Sequence, residues 1–113
     1  MRECVFCAII RGEAKSEILC QNDRAVAFRD IHPQAPSHVL VVPRKHISSL
    51  REAEEQDRDL LGHLLLMARE VSRVENIGDG FRIVINSGAR AGQSVDHIHL
   101  HVLGGRVLRW PPG

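Results

Sequence analysis

Excess charge of either sign, long hydrophobic runs and aromatic residues are what this 113-residue sequence has least of. Fifteen Lys and Arg stand against 14 Asp and Glu, a formal net charge of +1 with histidine neutral. That balance makes no electrostatic case for a nucleic acid or a membrane surface as partner. The one small basic cluster, Arg44 and Lys45, reads as a solvated strand end. No apolar run approaches the length of a membrane span, and the opening MRECVFCAII lacks the layout of a signal peptide, so the expected location is cytoplasmic. Three cysteines, an odd number in a chain read as non-secreted, argue against a disulfide framework. Repeats, low-complexity tracts and Pro/Gly/Ser linkers are absent, which leaves one domain over residues 1–113. The apolar content of 43% and charged content of 26% are those of an ordinary globular protein.

What is present reads as alternating short elements. CVFCAIIRG reads as a short helix with Val5, Ile9 and Ile10 partly inward and Gly12 as its stop. EILCQ and RAVAFRD flank Asn22–Asp23 as a β-hairpin. IHPQAPSH carries two prolines and reads as a loop, and HVLVVP as a buried strand ended by Pro43. Over residues 53–76, Leu60, Leu61, Leu64, Leu65, Ala68, Val71 and Val74 recur at three- and four-residue steps, which predicts one amphipathic helix with acidic residues at its start. FRIVINSG is a strand, ARAGQS a loop, the stretch from Asp96 a further strand, and LRWPPG an irregular close. Short connections favour antiparallel neighbours. The expected class is α+β: an antiparallel sheet of about five strands with the long helix on one face.

Three of the seven histidines alternate in DHIHLHVLGG, residues 96–105. In a strand His97, His99 and His101 share one face, while Ile98, Leu100 and Val102 share the other and read as core. A lone strand histidine is ordinarily a satisfied structural residue; three in register favour catalysis over metal binding alone or packing. Neutral imidazole has a lone pair that can attack phosphorus, and its ordinary pKa of about 6.5 keeps much of it neutral at pH 7. Attack by one ring nitrogen requires the other to place its proton on an acceptor, for which a backbone carbonyl would serve. His99, flanked on both sides, is the expected nucleophile. The preceding loop, residues 88–94, has little side-chain bulk near its end, so backbone N–H groups at Gly92–Ser94 could approach a phosphate, although such a loop is often just a loop.

Cys4 and Cys7 have the Cys-x-x-Cys spacing that lets two thiolates reach one zinc, with histidines available to complete it. The alternative is two partly buried free thiols beside a hydrogen-bonded histidine. A thioredoxin-like role lacks its βαβ context. Cys20 reads as strand packing.

The run His97-Ile98-His99-Leu100-His101-Val102-Leu103 resembles the motif of the histidine triad (HIT) superfamily. FRDIHPQAPSHVLVVPRKHI, GQSVDHIHLHVLGGR and the terminal WPPG resemble its Hint branch, the histidine triad nucleotide-binding proteins, so the likeness covers nearly the whole chain. It implies a homodimer in which two five-stranded sheets join into ten strands. It also implies hydrolysis of purine nucleoside 5′-phosphoramidates to nucleotide and amine through a nucleotidyl-histidine on His99. By motif position, His101 is implied to contact the phosphate oxygens, His38 to support the proton network, and Asp30 to bind the ribose hydroxyls. Asn86, Gly92, Gln93 and Ser94 are implied around the phosphate, with Ser94 at the catalytic centre, and Phe6, Ile9, Phe28 and Ile31 around the purine. Read without the resemblance, Asp30 is equally an exposed strand-end carboxylate, and Phe6 and Phe28, two of four aromatics, are equally core. The tail, residues 106–113 with Trp110, is implied to approach the partner subunit's site. No cofactor is implied for the chemistry. Some bacterial HIT proteins carry a structural zinc at positions matching Cys4, Cys7, His46 and His97.

Two departures from the family pattern stand out. Asp96 replaces a frequent aromatic, and Arg29, expected to face solvent, replaces a frequent histidine. Two other functions fit the same residues: a nucleotide- or zinc-binding interaction protein with incidental turnover, and a dinucleoside polyphosphate hydrolase. The WPPG ending and the loop before the triad favour the phosphoramidase over the latter.

Overall fold

A computed structural model describes residues 4–113; residues 1–3, part of the segment read above for targeting signals and of the 1–113 domain, lie outside the described residues. The elements run α1 (Val5–Ile10), β1 (Ile18–Gln21), β2 (Ala25–Arg29), β3 (Ser37–Pro43), α2 (Arg58–Val74), β4 (Phe81–Val84) and β5 (Leu100–Gly104). The strands form one sheet in the order β1-β2-β3-β5-β4, with every neighbouring pair antiparallel. This is the expected α+β arrangement of five strands with one long and one short helix. No helix among the described residues is long and apolar enough to cross a membrane.

Alternation in the central strands sorts side chains onto two faces. Ala25, Ala27, Val39, Val41, Leu100 and Val102 join the Leu60, Leu64, Ala68 and Val71 stripe of α2 in the larger core. Val26, Phe28, Leu40 and Val42 face the other way and meet Phe6 and Ile9 of α1. Seventeen residues of α2 cover the first face; the six of α1 cover only part of the second. The uncovered part of that second face is where His101 emerges, in register with Leu40, which pairs in turn with Phe28.

Several expected boundaries move. The long helix begins at Arg58 rather than near residue 53, because Ala53 and Glu54 are extended and the chain turns twice as short 3-10 segments, Leu50–Glu52 and Glu55–Asp57. Asp57 ends that approach: its carboxylate accepts the Glu54 N–H at 2.9 Å and the Lys45 ammonium at 2.7 Å. Leu65 and Val74 are exposed, off the buried stripe, and Val5 of α1 is exposed rather than inward. Arg29 does not simply face solvent; its guanidinium grips Glu75 at the end of α2, with Nη2 2.9 Å from Oε2, and also reaches Glu17.

The regular strand of the histidine run begins only at Leu100, so His97 and His99 precede it. The chain bends over residues 95–97. Alternation nonetheless survives, because Ile98 is anchored in the larger core and its N–H donates to the Ile47 carbonyl at 2.7 Å.

Candidate active site and metal centre

The histidine run lies along a cavity of about 270 Å³ on the second face of the sheet. Phe6, Ile9, Phe28 and Leu40 supply its apolar wall, Asp30 and Ser94 its polar rim, and His99 and His101 its inner side. A larger open groove of about 680 Å³ lies between β4 and the C-terminal segment, but no histidine or cysteine lines it. Two histidines of the run thus open on the smaller cavity.

His99 is 4% exposed. Its Nδ1 lies 2.7 Å from the carbonyl oxygen of His97. A carbonyl only accepts, so Nδ1 carries the proton and donates it, which leaves the lone pair on Nε2. The ring is held edge-on to Phe6, centroids 5.1 Å apart. This is the tautomer that nucleophilic attack requires.

His101 is fixed by a second chain of hydrogen bonds. The Gln34 backbone N–H donates to His38 Nδ1 at 3.0 Å, so His38 carries its proton on Nε2. That Nε2–H lies 2.9 Å from His101 Nδ1, which therefore accepts and leaves His101 protonated on its own Nε2. Burial, with the neighbouring His99 and His38 acting in the same sense, pushes His101 down to about 4. At neutral pH the ring is therefore uncharged: a hydrogen-bond donor rather than an acid. Burial lowers His38 as well, opposed by the Asp30 carboxylate, whose Oδ2 is 3.4 Å from His38 Nε2. The other Asp30 oxygen accepts the His32 N–H at 2.8 Å, which orients the carboxylate.

The remaining expected residues divide. Ile31 lines the cavity but is 81% exposed, a rim rather than a wall. Asn86 and Gly92 do not line it. Neither does Gln93, whose amide is consumed in holding its own loop. Its Oε1 accepts the Gly88 N–H at 2.8 Å, and its Nε2 donates to the Ser48 and Val95 carbonyls at 2.7 and 2.9 Å. The Gln93 side chain thus ties together the loop that leads into Ser94. Trp110 is 80% exposed and outside the cavity of its own chain. Asp96 is exposed beyond the histidines. Sequence reasoning missed Lys15 and Ser16, which line the cavity from the turn after α1. No periodicity or motif marks them. Leu40 was legible in principle, since it alternates with His38.

Beside this cavity, Cys4, Cys7, His46 and His97 bring one ligand atom each within 4.8 Å of one another. His97 Nδ1 lies 3.1 Å from His46 Nδ1, 3.5 Å from Cys4 Sγ and 3.7 Å from Cys7 Sγ; Cys7 Sγ is 3.5 Å from His46 Nδ1. Zinc–sulfur bonds of about 2.3 Å and zinc–nitrogen bonds of about 2.0–2.1 Å give tetrahedral edges of about 3.3 Å between nitrogens and about 3.6 Å between nitrogen and sulfur. The donor set fits that ion. His97, with no solvent exposure, places Nε2 2.8 Å from the Pro43 carbonyl, so its Nδ1 lone pair is the one turned to the cluster. Burial and the adjacent Cys4 push the Cys7 thiol up, so a bound cation would have to displace its proton.

Comparison with known proteins agrees with this geometry. The family model for the HIT domain matches residues 11–108. An uncharacterized HIT-like protein of Synechocystis sp. is 52% identical over 109 residues, covering 96% of each chain. A 14 kDa zinc-binding protein of Zea mays is 45% identical over 111 residues, 96% of this chain and 87% of that one. Among solved structures, a HIT family hydrolase from Legionella pneumophila superposes with a TM-score of 0.96 at 42% identity, covering 98% of this chain and all of the other. A histidine triad nucleotide-binding protein from Candida albicans gives 0.83 at 30% identity, over 96% and 83% of the two chains. A Zn-bound histidine triad family protein from Mycobacterium smegmatis gives 0.81 at 33%, over 91% and 75%.

Proposed function

The chain belongs to the HIT domain family, and we propose that within it the protein is a nucleoside phosphoramidase, cleaving the P–N bond of purine nucleoside 5′-phosphoramidates. The observation that carries this reading is the 2.7 Å bond from His99 Nδ1 to the His97 carbonyl, because it frees Nε2 for phosphorus in a cavity with an apolar wall and a carboxylate rim.

The purine lies against Phe6, Ile9 and Phe28, and its ribose hydroxyls donate to Asp30. His99 Nε2 attacks phosphorus and the P–N bond breaks, its electron pair remaining on nitrogen. The amine takes a proton from water, passed through the exposed Ser94 hydroxyl at the rim. His101, neutral, donates its Nε2–H to a non-bridging oxygen as charge builds there. The hydroxide left by that proton transfer then attacks the phosphorus of the nucleotidyl-histidine, the P–N bond to His99 breaks with its electron pair returning to Nε2, and nucleotide leaves. The sum is phosphoramidate and water giving nucleotide and amine.

Cys4, Cys7, His46 and His97 would hold a structural zinc in this reading. Four protein ligands would leave no position for substrate or water, so the bound ion would supply no chemistry, and the four residues would tie α1 to the approach to β5. The Zea mays relative and the Mycobacterium smegmatis structure, named for zinc, support it. The homodimer implied by the family likeness needs one of the two edge strands, β1 or β4, to pair with its copy. The deciding assay follows AMP release from adenosine 5′-phosphoramidate by wild type and His99→Asn. Release by the wild type alone supports the reading; nucleotide binding without release by either favours a binding protein.

A further inference from the structure

The tautomer of His101 depends on Gln34 and on a tail segment, neither of which lines the cavity. His38 Nδ1 receives the Gln34 N–H at 3.0 Å, and no other donor to that nitrogen is seen among the described residues. Gln34 belongs to the exposed turn between β2 and β3. Two contacts hold that turn from outside, both made by consecutive residues just beyond β5. Arg106 Nη2 donates to the Gln34 carbonyl at 3.0 Å. Gly105, at φ +92°, packs so closely on Pro36 that a Cβ there would sit 2.9 Å from the proline Cβ. A glycine is required on both counts, conformation and space.

Consider the chain of imidazoles without the Gln34 N–H. His38 can then move its proton to Nδ1 and turn a bare Nε2 toward His101. His101 must answer by donating from its Nδ1, which leaves a lone pair on the nitrogen that meets the cavity. A lone pair facing the oxygens of a phosphate is repulsive where an N–H is attractive. The two tautomeric states of the pair are thus one suited to an anion and one opposed to it. The backbone donor of Gln34 at Nδ1 selects between them, in the same sense as the Asp30 carboxylate 3.4 Å from His38 Nε2.

We propose that Arg106 is a positioning residue for the triad: by clamping the Gln34 carbonyl it keeps the Gln34 N–H on His38 and so holds His101 as a donor to the cavity. The tail thereby acts on the site of its own chain through backbone and imidazole hydrogen bonds. The kinetic consequence rests on the phosphoramidase reading above; the tautomeric one does not.

Long-range 15N–1H correlation spectra of the imidazoles in the full-length protein test it. Wild type should show His38 and His101 as neutral Nε2–H tautomers. In Arg106→Ala both rings should show a mixture, and kcat with adenosine 5′-phosphoramidate should fall about three- to tenfold with KM little changed. Arg106→Lys, which keeps one donor, should restore most of the wild-type spectrum. Gly105→Ala displaces the same turn with Arg106 intact, and should mix the tautomers even if the alanine variant at 106 does not fold. Pure Nε2–H tautomers in Arg106→Ala, or Nδ1–H rings in the wild type, would overturn the proposal. A wild type inactive on phosphoramidates but with the expected spectra would sink the functional reading and leave this one standing.

Discussion

The carbonyl of His97 holds the Nδ1–H of His99 at 2.7 Å, so one histidine of the run sets the tautomer of the next through its backbone. The side chain of His97 turns the other way, into the cysteine cluster. One residue thus joins a candidate metal centre to a candidate nucleophile. His99→Asn keeps a polar side chain of similar reach but has no ring nitrogen to form the covalent intermediate. Turnover should fall by about a thousandfold or more, with nucleotide affinity retained. Single-turnover assays with mass analysis of the wild-type protein should find a nucleotidyl adduct on His99. Residual activity in the variant within a factor of ten of wild type would remove His99 from the chemistry.

Metal loss should reach the purine pocket. Phe6 lies between the two cysteines and packs edge-on against His97, His99 and Phe28, at centroid distances of 5.9, 5.1 and 5.5 Å. Freeing Cys4 and Cys7 loosens the six-residue helix that carries Phe6 and Ile9 into the cavity wall. The purified protein should hold one zinc per chain by elemental analysis. Cys7→Ser should lower that content, lower the melting midpoint by about 4–8 °C for each kcal/mol lost, and weaken AMP binding by about tenfold. Wild type that holds no zinc as purified and takes up none when it is added, or zinc-loaded wild type whose midpoint and AMP affinity are unchanged by removing the metal, would end the idea.

How much of this was legible follows from what each feature depends on. The faces of β2 and β3 were readable because alternation is local, and the triad was readable because its residues are four apart at most. The start of α2 was not: its stop is the Asp57 carboxylate meeting Glu54 and Lys45, a hydrogen-bond geometry that the leucine spacing cannot contain. Arg29 looked solvent-facing because Glu75, its partner, is 46 residues away. Gln93 resembled a phosphate contact by position, and only the carbonyls of Ser48 and Val95 show its amide already engaged. Lys15 and Ser16 enter the cavity because α1 folds over the sheet, a tertiary fact with no imprint on their own sequence.

Stability should decline on acidification in two stages. His101 is held down to about 4 from 6.5, so its neutral form is favoured by folding. That contribution is complete above pH 6.5 and is lost as the pH falls from 6.5 toward 4, where the unfolded chain takes up a proton that the folded one refuses. Glu75 acts lower. The Arg29 guanidinium holds its carboxyl below the ordinary range, against the opposing effect of burial and with help from the Ser37 hydroxyl. Its contribution is present above about pH 4.5 and disappears as the pH falls through the depressed folded value. Urea melts at pH 7, 5.5, 4 and 3 should show His101→Asn reducing the first stage, to which the buried His38 and His97 also contribute, and Glu75→Gln reducing the second. Variants that lose stability in parallel with wild type throughout would contradict both assignments.

Asp30 separates recognition of the sugar from support of the histidines. Its carboxylate lines the cavity with one oxygen oriented by the His32 N–H and the other 3.4 Å from His38. Each carboxylate oxygen has two acceptor sites, so capacity remains for ribose hydroxyls. Asp30→Asn preserves shape and replaces an acceptor with a donor. Loss of a charge-assisted hydrogen bond of about 1.5–3 kcal/mol should lower kcat/KM for the ribose substrate about 10- to 100-fold. The 2′-deoxy substrate, which already lacks that hydroxyl, should lose less, so the preference for ribose should shrink. If Asp30 acted only by steadying His38, the two substrates would lose the same factor. Measuring kcat/KM for both with wild type and variant therefore decides which role the carboxylate has, and an equal loss would take the ribose contact away from Asp30.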